Sequence, residues 1–220
     1  MADDPYFRQR IEMVETQLRK RGIKDVGGLG AMATVPRHEF VLEQFRNRAY
    51  SDEPLPIGAG QTVSQPYIVA AMTEALGLSG TERVLEVGTG CGYQTAVLSL
   101  LCREVYGVEL HPELATPAAE RLQRLGYTNA HVHCGDGSYG LKEFAPYDAI
   151  LVAAAAPRVP EPLMEQLTDG GRLIAPIGVE QRQELVLVTR RGSEYSTQYR
   201  EGCRFVPLLG RYGWKDKELL

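Results

Sequence analysis

The sequence predicts a doubly wound α/β fold, in which a mostly parallel sheet is covered by helices on both faces. Predicted strands alternate with predicted helices from residue 83 to residue 176, a pattern that produces parallel βαβ units. The strands are almost wholly apolar, as expected for strands buried on both faces. A glycine-rich loop at residues 88–92 directly follows the first of them, where open α/β sheets bind their ligands.

Composition narrows the class of protein. The chain has 220 residues, with 24 Lys and Arg against 28 Asp and Glu, a net charge of −4, and 44% hydrophobic residues. These values are typical of one globular domain. Without a surplus of basic residues, no nucleic-acid partner is expected. No apolar run reaches the length of a membrane span, and the first residues lack the apolar core of a signal peptide, so neither is expected.

The cysteines indicate a reducing compartment. They form no C-x-x-C pair and no spacing typical of a metal site, which predicts free thiols, no metal and a cytoplasmic location. They are Cys91, Cys102, Cys134 and Cys203.

The N-terminal 80 residues predict a helical cap and a long loop. A first helix is expected from an N-cap at Asp4, with Pro5 at its first position, to Gly22, because Phe7, Ile11, Val14 and Leu18 repeat at helical spacing. Residues 25–32 contain three glycines, each of which weakens a helix by about 1 kcal/mol, so any helix there needs tertiary support.

Residues 51–66 are rich in proline and glycine and predict a long loop, which in a compact domain is more often functional than idle. A second helix is expected from Pro66, with Ile68, Val69, Met72 and Leu76 on one face. The expected organisation is a single domain over 1–220. In it, residues 1–80 form the helical cap and active-site loop, and residues 81–220 form the ligand-binding sheet.

Seven strands are predicted for this sheet. Five are expected to be parallel, at 83–87, 105–108, 130–133, 147–153 and 172–176, and a terminal hairpin of 184–190 and about 195–205 supplies the other two. Helices are expected after the glycine loop (through Ala96, Val97, Leu100 and Leu101), at 112–125 and at 160–167, with a turn at Gly170 and Gly171.

The glycine loop does not fit a dinucleotide. Its spacing is G-x-G-x-G, whereas the dinucleotide fingerprint needs G-x-G-x-x-G, and Tyr93 occupies the third glycine position. Glu86, at the end of the preceding strand, opposes a pyrophosphate, which needs positive potential. The same carboxylate suits a ligand that carries an ammonium and a sulfonium, such as S-adenosylmethionine.

Two more acids follow the next two predicted strands. Glu109, 23 residues after Glu86, stands where a carboxylate accepts hydrogen bonds from ribose hydroxyls. Asp136 lies between two glycines that permit close approach to a ring, and is placed to accept from an adenine amino group. Each feature alone also fits a tight turn or a helix cap; the three in order favour S-adenosylmethionine.

Several segments resemble the protein-L-isoaspartate O-methyltransferase family over nearly the whole chain. The glycine and strand motifs are shared by many methyltransferases, whereas GQTVSQP and FVPL are more particular to this family. The matching segments are VPRHEF (35–40), LPIGAGQTVSQPYIVAAMTEAL (55–76), RVLEVGTGCGYQTAVLS (83–99), YDAILVAAAAP (147–157), LTDGGRLIAPIG (167–178) and RFVPLLG (204–210).

The resemblance implies a Rossmann-like class I methyltransferase fold with an N-terminal helical extension. It also implies methyl transfer from S-adenosylmethionine, leaving S-adenosylhomocysteine, to the free carboxylate of L-isoaspartyl residues in age-damaged proteins and peptides. The methyl ester then expels methanol as it closes to a succinimide, which hydrolyses partly to aspartate, so the implied function is protein repair. A monomer that binds neither nucleic acid nor a membrane is expected.

Residue roles are carried over by the same resemblance. Ser64 matches the active-site serine. The residues expected to bind the cofactor are Gln61, Thr62, Val63, Ser64, Glu86, Gly88, Gly90, Gly92, Glu109, Asp136 and Gly137, and those expected to bind the substrate are Ile57, Val206, Pro207 and Leu208.

The implied chemistry needs little from the side chains. A carboxylate nucleophile is already ionised at neutral pH, so catalysis depends on positioning and desolvation and no general base is required. Ser64 is expected to hold one carboxylate oxygen, not to act as a covalent nucleophile, since it lacks a G-x-S-x-G elbow. By itself, a serine just before Pro66 also fits a cap or loop role.

Other functions remain as alternatives. A methyltransferase for another acceptor class shares the same cofactor motifs, and a non-catalytic adaptor could bind isoaspartyl peptides without turnover. A nicotinamide oxidoreductase is opposed by the glycine spacing. His131 and His133 alternate on one strand but have no third ligand nearby, so ordinary strand positions are expected for them.

Overall fold

A seven-stranded sheet forms the centre of the structure, a computed structural model that describes residues 4–179 and 182–215. Two short strands precede it. In chain order the strands are β1 (Leu55–Gly58), β2 (Gln61–Val63), β3 (Arg83–Val87), β4 (Glu104–Glu109), β5 (Ala130–Cys134), β6 (Tyr147–Val152), β7 (Leu167–Val179), β8 (Arg182–Arg191) and β9 (Glu194–Cys203).

The strand order in the large sheet is β5-β4-β3-β6-β7-β8-β9. The first five of these run parallel, β8 is antiparallel to both of its neighbours, and β8 and β9 form the terminal hairpin. The direction in which the chain adds strands reverses between β3 and β6, which makes this the topological switch point. The prediction of a mostly parallel seven-stranded sheet is confirmed.

Six α-helices flank the sheet in the described ranges: α1 (Phe7–Met13), α2 (Val26–Thr34), α3 (Pro66–Leu76), α4 (Tyr93–Ser99), α5 (Pro112–Arg124) and α6 (Glu161–Glu165). None of the described helices is long and apolar enough to cross a membrane.

The first helix starts later than predicted. The regular α-helix α1 begins at Phe7, because Pro5 and Tyr6 form a turn. The Asp4 carboxylate caps this turn, as predicted, by accepting a hydrogen bond from the Tyr6 backbone N–H at 2.9 Å, and it also forms an ion pair with Arg10. The helix then continues through a π-helical turn and a 3₁₀ turn to Gly22, whose φ of +99° ends it, as predicted.

Tertiary contacts hold the glycine-rich segment as a helix. The Asp25 side chain caps α2 by accepting from the Gly28 N–H at 2.8 Å. The Glu74 carboxylate on α3 accepts from the backbone N–H groups of Lys24 and Asp25 at 2.6 and 2.7 Å. Leu29 and Met32 are buried, so the expected tertiary support is present.

The predicted loop at 51–66 contains a hairpin that the sequence did not indicate. β1 and β2 pair antiparallel, with Leu55 opposite Val63. These strands are only four and three residues long, and Pro56 lies inside the first. Such a short pair is too brief for its alternation to be read from sequence.

Three boundaries also differ from the predictions. α4 ends at Ser99, so Leu100 and Leu101 follow it instead of lying in it. α6 has five residues because Leu167 already pairs with Tyr147 as the start of β7. The next pair is Ala149 with Arg172, so residues 168–171 form a bulge in a longer strand, where a separate turn was predicted.

Helices bury both faces of the sheet. One face packs against α3, and its core includes Met72, Leu76, Val84, Leu151 and Ile174. The opposite face carries a core of Leu85, Ile150, Leu163 and Leu173. The N-terminal helices join α4 and the β1–β2 hairpin in a third cluster, which includes Leu18, Met32, Phe40, Leu55 and Tyr93. This third cluster places the hairpin over the glycine loop.

Candidate functional site

Three connected cavities open at the carboxyl ends of the central strands, beneath the β1–β2 hairpin. The inner cavity is lined by Thr62, Val63, Ser64, Val69, Met72, Glu86, Gly88, Thr89, Gly90, Cys91, Tyr93, Gln94, Leu151, Ala153 and Phe205. The strand-end cavity is lined by Ile57, Gln61, Thr62, Val87, Gly88, Gly90, Val108, Glu109, Leu110, His111, Gly137, Ala153, Ala154, Val206, Pro207, Leu208 and Leu209. The outer groove is lined by Pro54, Thr62, Ser64, Gln65, Ile68, Ala153, Gly202, Cys203, Arg204, Phe205 and Val206.

The three cavities meet at two residues. Thr62 of β2 and Ala153, which follows β6, line all of them. Ser64 lies between the inner cavity and the outer groove, whereas Gly88 and Gly90 separate the inner cavity from the strand-end cavity. A molecule spanning the first two cavities therefore has its middle beside the groove that Ser64 faces.

The glycine loop bends back over β4 after β3 ends. The N–H of Gly88 donates to the Val108 carbonyl at 2.8 Å, and both Gly88 and Gly90 adopt positive φ, +88° and +55°. A Cβ at Gly90 would lie 3.0 Å from the Ile57 side chain of the hairpin. Glycine thus allows both the turn and the close approach of the hairpin.

Glu86 is a buried carboxylate with one free oxygen. It is fully buried in β3, and its Oε2 accepts a short hydrogen bond from the Thr95 hydroxyl. Its Oε1 has no hydrogen-bond partner among the described residues, although Glu86 lines the inner cavity. Burial raises the pKa of Glu86 to about 8, with a further contribution from the charge of Glu109. An unsatisfied buried acceptor beside a cavity fits a cationic ligand group.

Glu109 closes β4 on the floor of the strand-end cavity. Its Oε2 accepts from the Gly90 N–H at 2.7 Å and its Oε1 from the His111 N–H at 3.0 Å. An ionised carboxylate has about four lone-pair sites. The two free sites leave Glu109 able to accept from the paired hydroxyls of a ribose.

Asp136 is turned toward the C-terminal segment. Its Oδ1 accepts from the backbone N–H and hydroxyl of Ser138, and its Oδ2 accepts from the Arg211 N–H at 2.9 Å. Three of its four acceptor sites are therefore used within the chain. Asp136 and Gly92 are the two predicted site residues that line none of the three cavities.

Two further glycines lie where a side chain would meet its neighbours. Gly92, at φ +89°, precedes α4, and a Cβ there would lie 3.3 Å from the Leu122 side chain and 3.5 Å from that of Ala118. Gly137 lines the strand-end cavity, and a Cβ there would lie 2.6 Å from the Val87 side chain. Any larger residue at 137 would push the loop away from the ends of the strands.

Ser64 presents an uncommitted hydroxyl. Its backbone carbonyl accepts a hydrogen bond from Arg37 at 2.8 Å, but within the described part of the chain its Oγ makes no hydrogen bond. The side chain is half-buried between the inner cavity and the outer groove, so a donor is available to a ligand at this junction.

The predicted substrate residues form one wall. Val206 and Leu208 extend the sheet beside Ala155, with Ala155 N–H donating to the Val206 carbonyl at 2.8 Å and Leu208 N–H to the Ala155 carbonyl at 2.7 Å. Pro207 pairs with Ala155 in a parallel bridge. Together with Ile57, they line the strand-end cavity.

Some cavity residues lie outside the set predicted from sequence: Thr89, His111, Ala153 and Phe205. Ala153 follows β6 directly and His111 lies two residues after the end of β4, so the rule that ligands meet strand ends was sufficient to find them. Phe205 had no such signal, because only the path of the chain after β9 brings it to Ser64.

The histidines outside the cavities have ordinary packing. His131 and His133 lie against Tyr106, and the described residues contain no cluster of potential metal ligands. The His38 ring hydrogen-bonds the Tyr50 hydroxyl at 2.8 Å.

Cys91 is buried beneath the inner cavity, and this burial raises the pKa of its thiol, so it is not a reactive thiolate.

Comparisons with known proteins agree on one family. A family model described as protein-L-isoaspartate(D-aspartate) O-methyltransferase matches residues 8–213. A relative named protein-L-isoaspartate O-methyltransferase from Syntrophus aciditrophicus is 52% identical over 214 residues, which cover 96% of this chain and 98% of the relative. One of the same name from Methanoculleus marisnigri is 51% identical, with 99% of both chains covered.

Solved structures show the same likeness. A protein-L-isoaspartate O-methyltransferase structure has a TM-score of 0.83 and 33% identity, and the match covers 92% of this chain and 67% of that one. A beta-aspartate methyltransferase from Plasmodium falciparum, in complex with S-adenosyl-L-homocysteine, has a TM-score of 0.79 and 26% identity, covering 91% and 98%.

Proposed function

Because this chain belongs to the protein-L-isoaspartate(D-aspartate) O-methyltransferase family, we propose that the inner and strand-end cavities hold S-adenosylmethionine and that the outer groove receives the acceptor peptide. The enzyme transfers a methyl group from S-adenosylmethionine to the free carboxylate of L-isoaspartyl residues in damaged proteins.

The main support for this cofactor assignment is the Oε1 atom of Glu86, which has no hydrogen-bond partner among the described residues. A fully buried carboxylate oxygen without a hydrogen-bond partner costs free energy. The ammonium of the cofactor is proposed to supply the missing donor. Glu109, with its two remaining acceptor sites, is the proposed ribose ligand. The cofactor supplies an electrophilic methyl group on a sulfonium.

The remaining cofactor contacts are assigned by position. Asp136 is proposed to use its fourth acceptor site for the adenine amino group, with Gly137 allowing the close approach. Gly88 and Gly90 shape the floor between the two cavities, Gly92 supports the turn into α4, and Gln61, Thr62 and Val63 of the hairpin cover the junction.

Ser64 is the proposed catalytic residue. Its uncommitted hydroxyl donates to one oxygen of the isoaspartyl carboxylate and directs the other oxygen toward the inner cavity. Since the acceptor is already ionised, the side chains need only orient it and exclude water. Ile57, Val206, Pro207 and Leu208 are proposed to bind the peptide where the strand-end cavity meets the outer groove, since Val206 lines both.

We propose a monomer as the working enzyme. The cysteines, which are all free thiols, support the cytoplasm as its location. The net charge of −4 argues against a nucleic-acid partner, and no membrane partner is proposed.

The assignment of Ser64 is tested by Ser64→Ala. We expect kcat with an isoaspartyl peptide to fall on the order of 10- to 100-fold, while the Kd for S-adenosylhomocysteine stays near the wild-type value. Ser196→Ala, on the exposed strand β9, is the control. An equal loss of kcat and of cofactor affinity would instead make Ser64 a support of the cofactor pocket.

A further inference from the structure

Arg37 is a completely buried cation beside the reaction site. It lies in the 3₁₀ turn Arg37–Glu39 and has no solvent exposure. No carboxylate of the described residues forms an ion pair with it. Burial lowers the pKa of its guanidinium, yet an arginine remains charged in proteins. A buried charge without an ionic partner is rare, and it needs a role that outweighs its desolvation.

The guanidinium connects three separate segments. Its Nε donates to the Ala49 carbonyl at 2.7 Å, and its Nη2 donates to the Ser64 carbonyl at 2.8 Å. Its Cζ lies 4.6 Å from the ring centroid of Tyr93, the first residue of α4 after the glycine loop. The guanidinium thus hydrogen-bonds the backbone of Ser64, the proposed catalytic residue. It also packs on α4, the helix that follows the glycine loop of the proposed cofactor site.

The hydrogen bond from Arg37 to the Ser64 carbonyl fixes the backbone of the residue that is proposed to orient the acceptor carboxylate. The Ser64 hydroxyl makes no hydrogen bond within the described residues. Its neighbour Gln65 accepts from the Val69 N–H at 3.1 Å through its own carbonyl and donates from its exposed Nε2 to the Asp52 carbonyl at 3.1 Å, and neither bond involves the peptide group between Ser64 and Gln65. Without Arg37, the Ser64 carbonyl loses its anchor, and the peptide plane that follows Ser64 is free to rotate. Such a rotation moves the Ser64 hydroxyl relative to the glycine loop and α4.

We propose that Arg37 is a positioning residue for methyl transfer. It holds the Ser64 backbone at a fixed position relative to the glycine loop and α4. This inference rests on the proposed role of Ser64. Lysine cannot replace arginine in this role, because a single ammonium has no planar fork to span two carbonyls.

The test is a double-mutant cycle with Arg37→Lys and Ser64→Ala, assayed with an isoaspartyl peptide below the melting temperature of every variant. We expect Arg37→Lys to lower kcat about 10- to 100-fold, with the peptide KM and the S-adenosylhomocysteine Kd nearly unchanged. In the Ser64→Ala background the same change should have little further effect, because residues that act through one another are not additive.

The matched control is Arg10→Lys. Arg10 is also buried, but its hydrogen bonds go to the Ala33 carbonyl at 2.7 Å, to the Tyr50 hydroxyl and to Asp4, not to Ser64. It should lose thermal stability without a selective loss of kcat. If Arg37→Lys does not fold, Arg37→Gln, which keeps an amide donor without the charge, replaces it in the cycle.

The outcomes separate the two claims. The inference is overturned if kcat is unaffected while the melting temperature falls, or if the loss of kcat is the same in both Ser64 backgrounds. If Ser64→Ala alone leaves kcat at the wild-type value, the proposed role of Ser64 fails, and with it the premise on which Arg37 acts.

Discussion

The Thr95 hydroxyl on α4 donates a hydrogen bond to one oxygen of the Glu86 carboxylate on β3, and so fixes the direction of the other oxygen, Oε1. Both residues are fully buried. Thr95 therefore holds the carboxylate in place before any ligand arrives. This preorganisation reduces the ordering needed when a cationic group binds.

Glu86→Gln should weaken cofactor binding selectively. The amide is isosteric and neutral, so it loses the charge-assisted bond to the ligand ammonium, a loss of about 1.5–3 kcal/mol. We expect the Kd for S-adenosylhomocysteine, measured by calorimetry, to rise on the order of 10- to 100-fold. Glu104→Gln, a half-buried acid at the start of β4, is the control. An unchanged Kd in Glu86→Gln would remove Glu86 from the cofactor site.

Cofactor binding should release a proton at neutral pH. With a pKa of about 8 in the free protein, Glu86 is mostly protonated at pH 7, and pairing with an ammonium favours its ionised form. Titration of S-adenosylhomocysteine in buffers of different ionisation enthalpy should show release of close to one proton, and Glu86→Gln should abolish it. Binding without proton release by the wild type would contradict the buried, protonated state of Glu86.

The same group sets a pH dependence of stability. The folded pKa of about 8 lies above the ordinary value of 4.5 because of burial. The folded chain therefore keeps a proton that the unfolded chain releases, and the stabilisation is complete below about pH 4.5 and is lost as the pH rises through 8. We expect the melting temperature of the ligand-free enzyme to fall between pH 5 and pH 8, and that of Glu86→Gln to fall less. Parallel curves for the two proteins would refute this assignment.

Gly137→Ala should damage both stability and binding. Its Cβ would lie 2.6 Å from Val87 Cγ1, in a side chain that is 1% exposed, so the loop must shift. We expect a loss of about 1–3 kcal/mol in the free energy of unfolding and a weaker cofactor Kd. Gly135→Ala is the matched control, since a Cβ there meets nothing within 4 Å. Equal effects of the two substitutions would show that the contact with Val87 is not the cause.

The sequence predicted the sheet and the acids that end its strands, because parallel strands bring their carboxyl ends to one edge whatever the loops do. Glu86 and Glu109 followed from that rule alone. It did not predict the β1–β2 hairpin, whose Leu55, Ile57 and Val63 pack in one cluster with the N-terminal helices and α4. Nor did it predict the Arg211 bond to Asp136, which depends on the path of the C-terminal segment.

The contribution of Ser64 was visible in the sequence only through the family resemblance, since a serine before a proline has no periodic signal. The hydrogen bond from Arg37 to the Ser64 carbonyl had no signal in the sequence either. A bond between residues 27 positions apart depends on how the N-terminal cap packs on the hairpin, and neither the spacing of apolar residues nor local propensity determines that packing.

The most direct test compares two short peptides that differ only in one residue, L-isoaspartate or L-aspartate. Each is incubated with the enzyme and methyl-labelled S-adenosylmethionine, and the label lost in mild alkali is counted, because carboxyl methyl esters are base-labile. Base-labile label in the isoaspartyl peptide alone is the predicted result. Label in neither peptide, with cofactor binding verified by calorimetry, or equal label in both, would contradict an isoaspartyl-specific carboxyl methyltransferase.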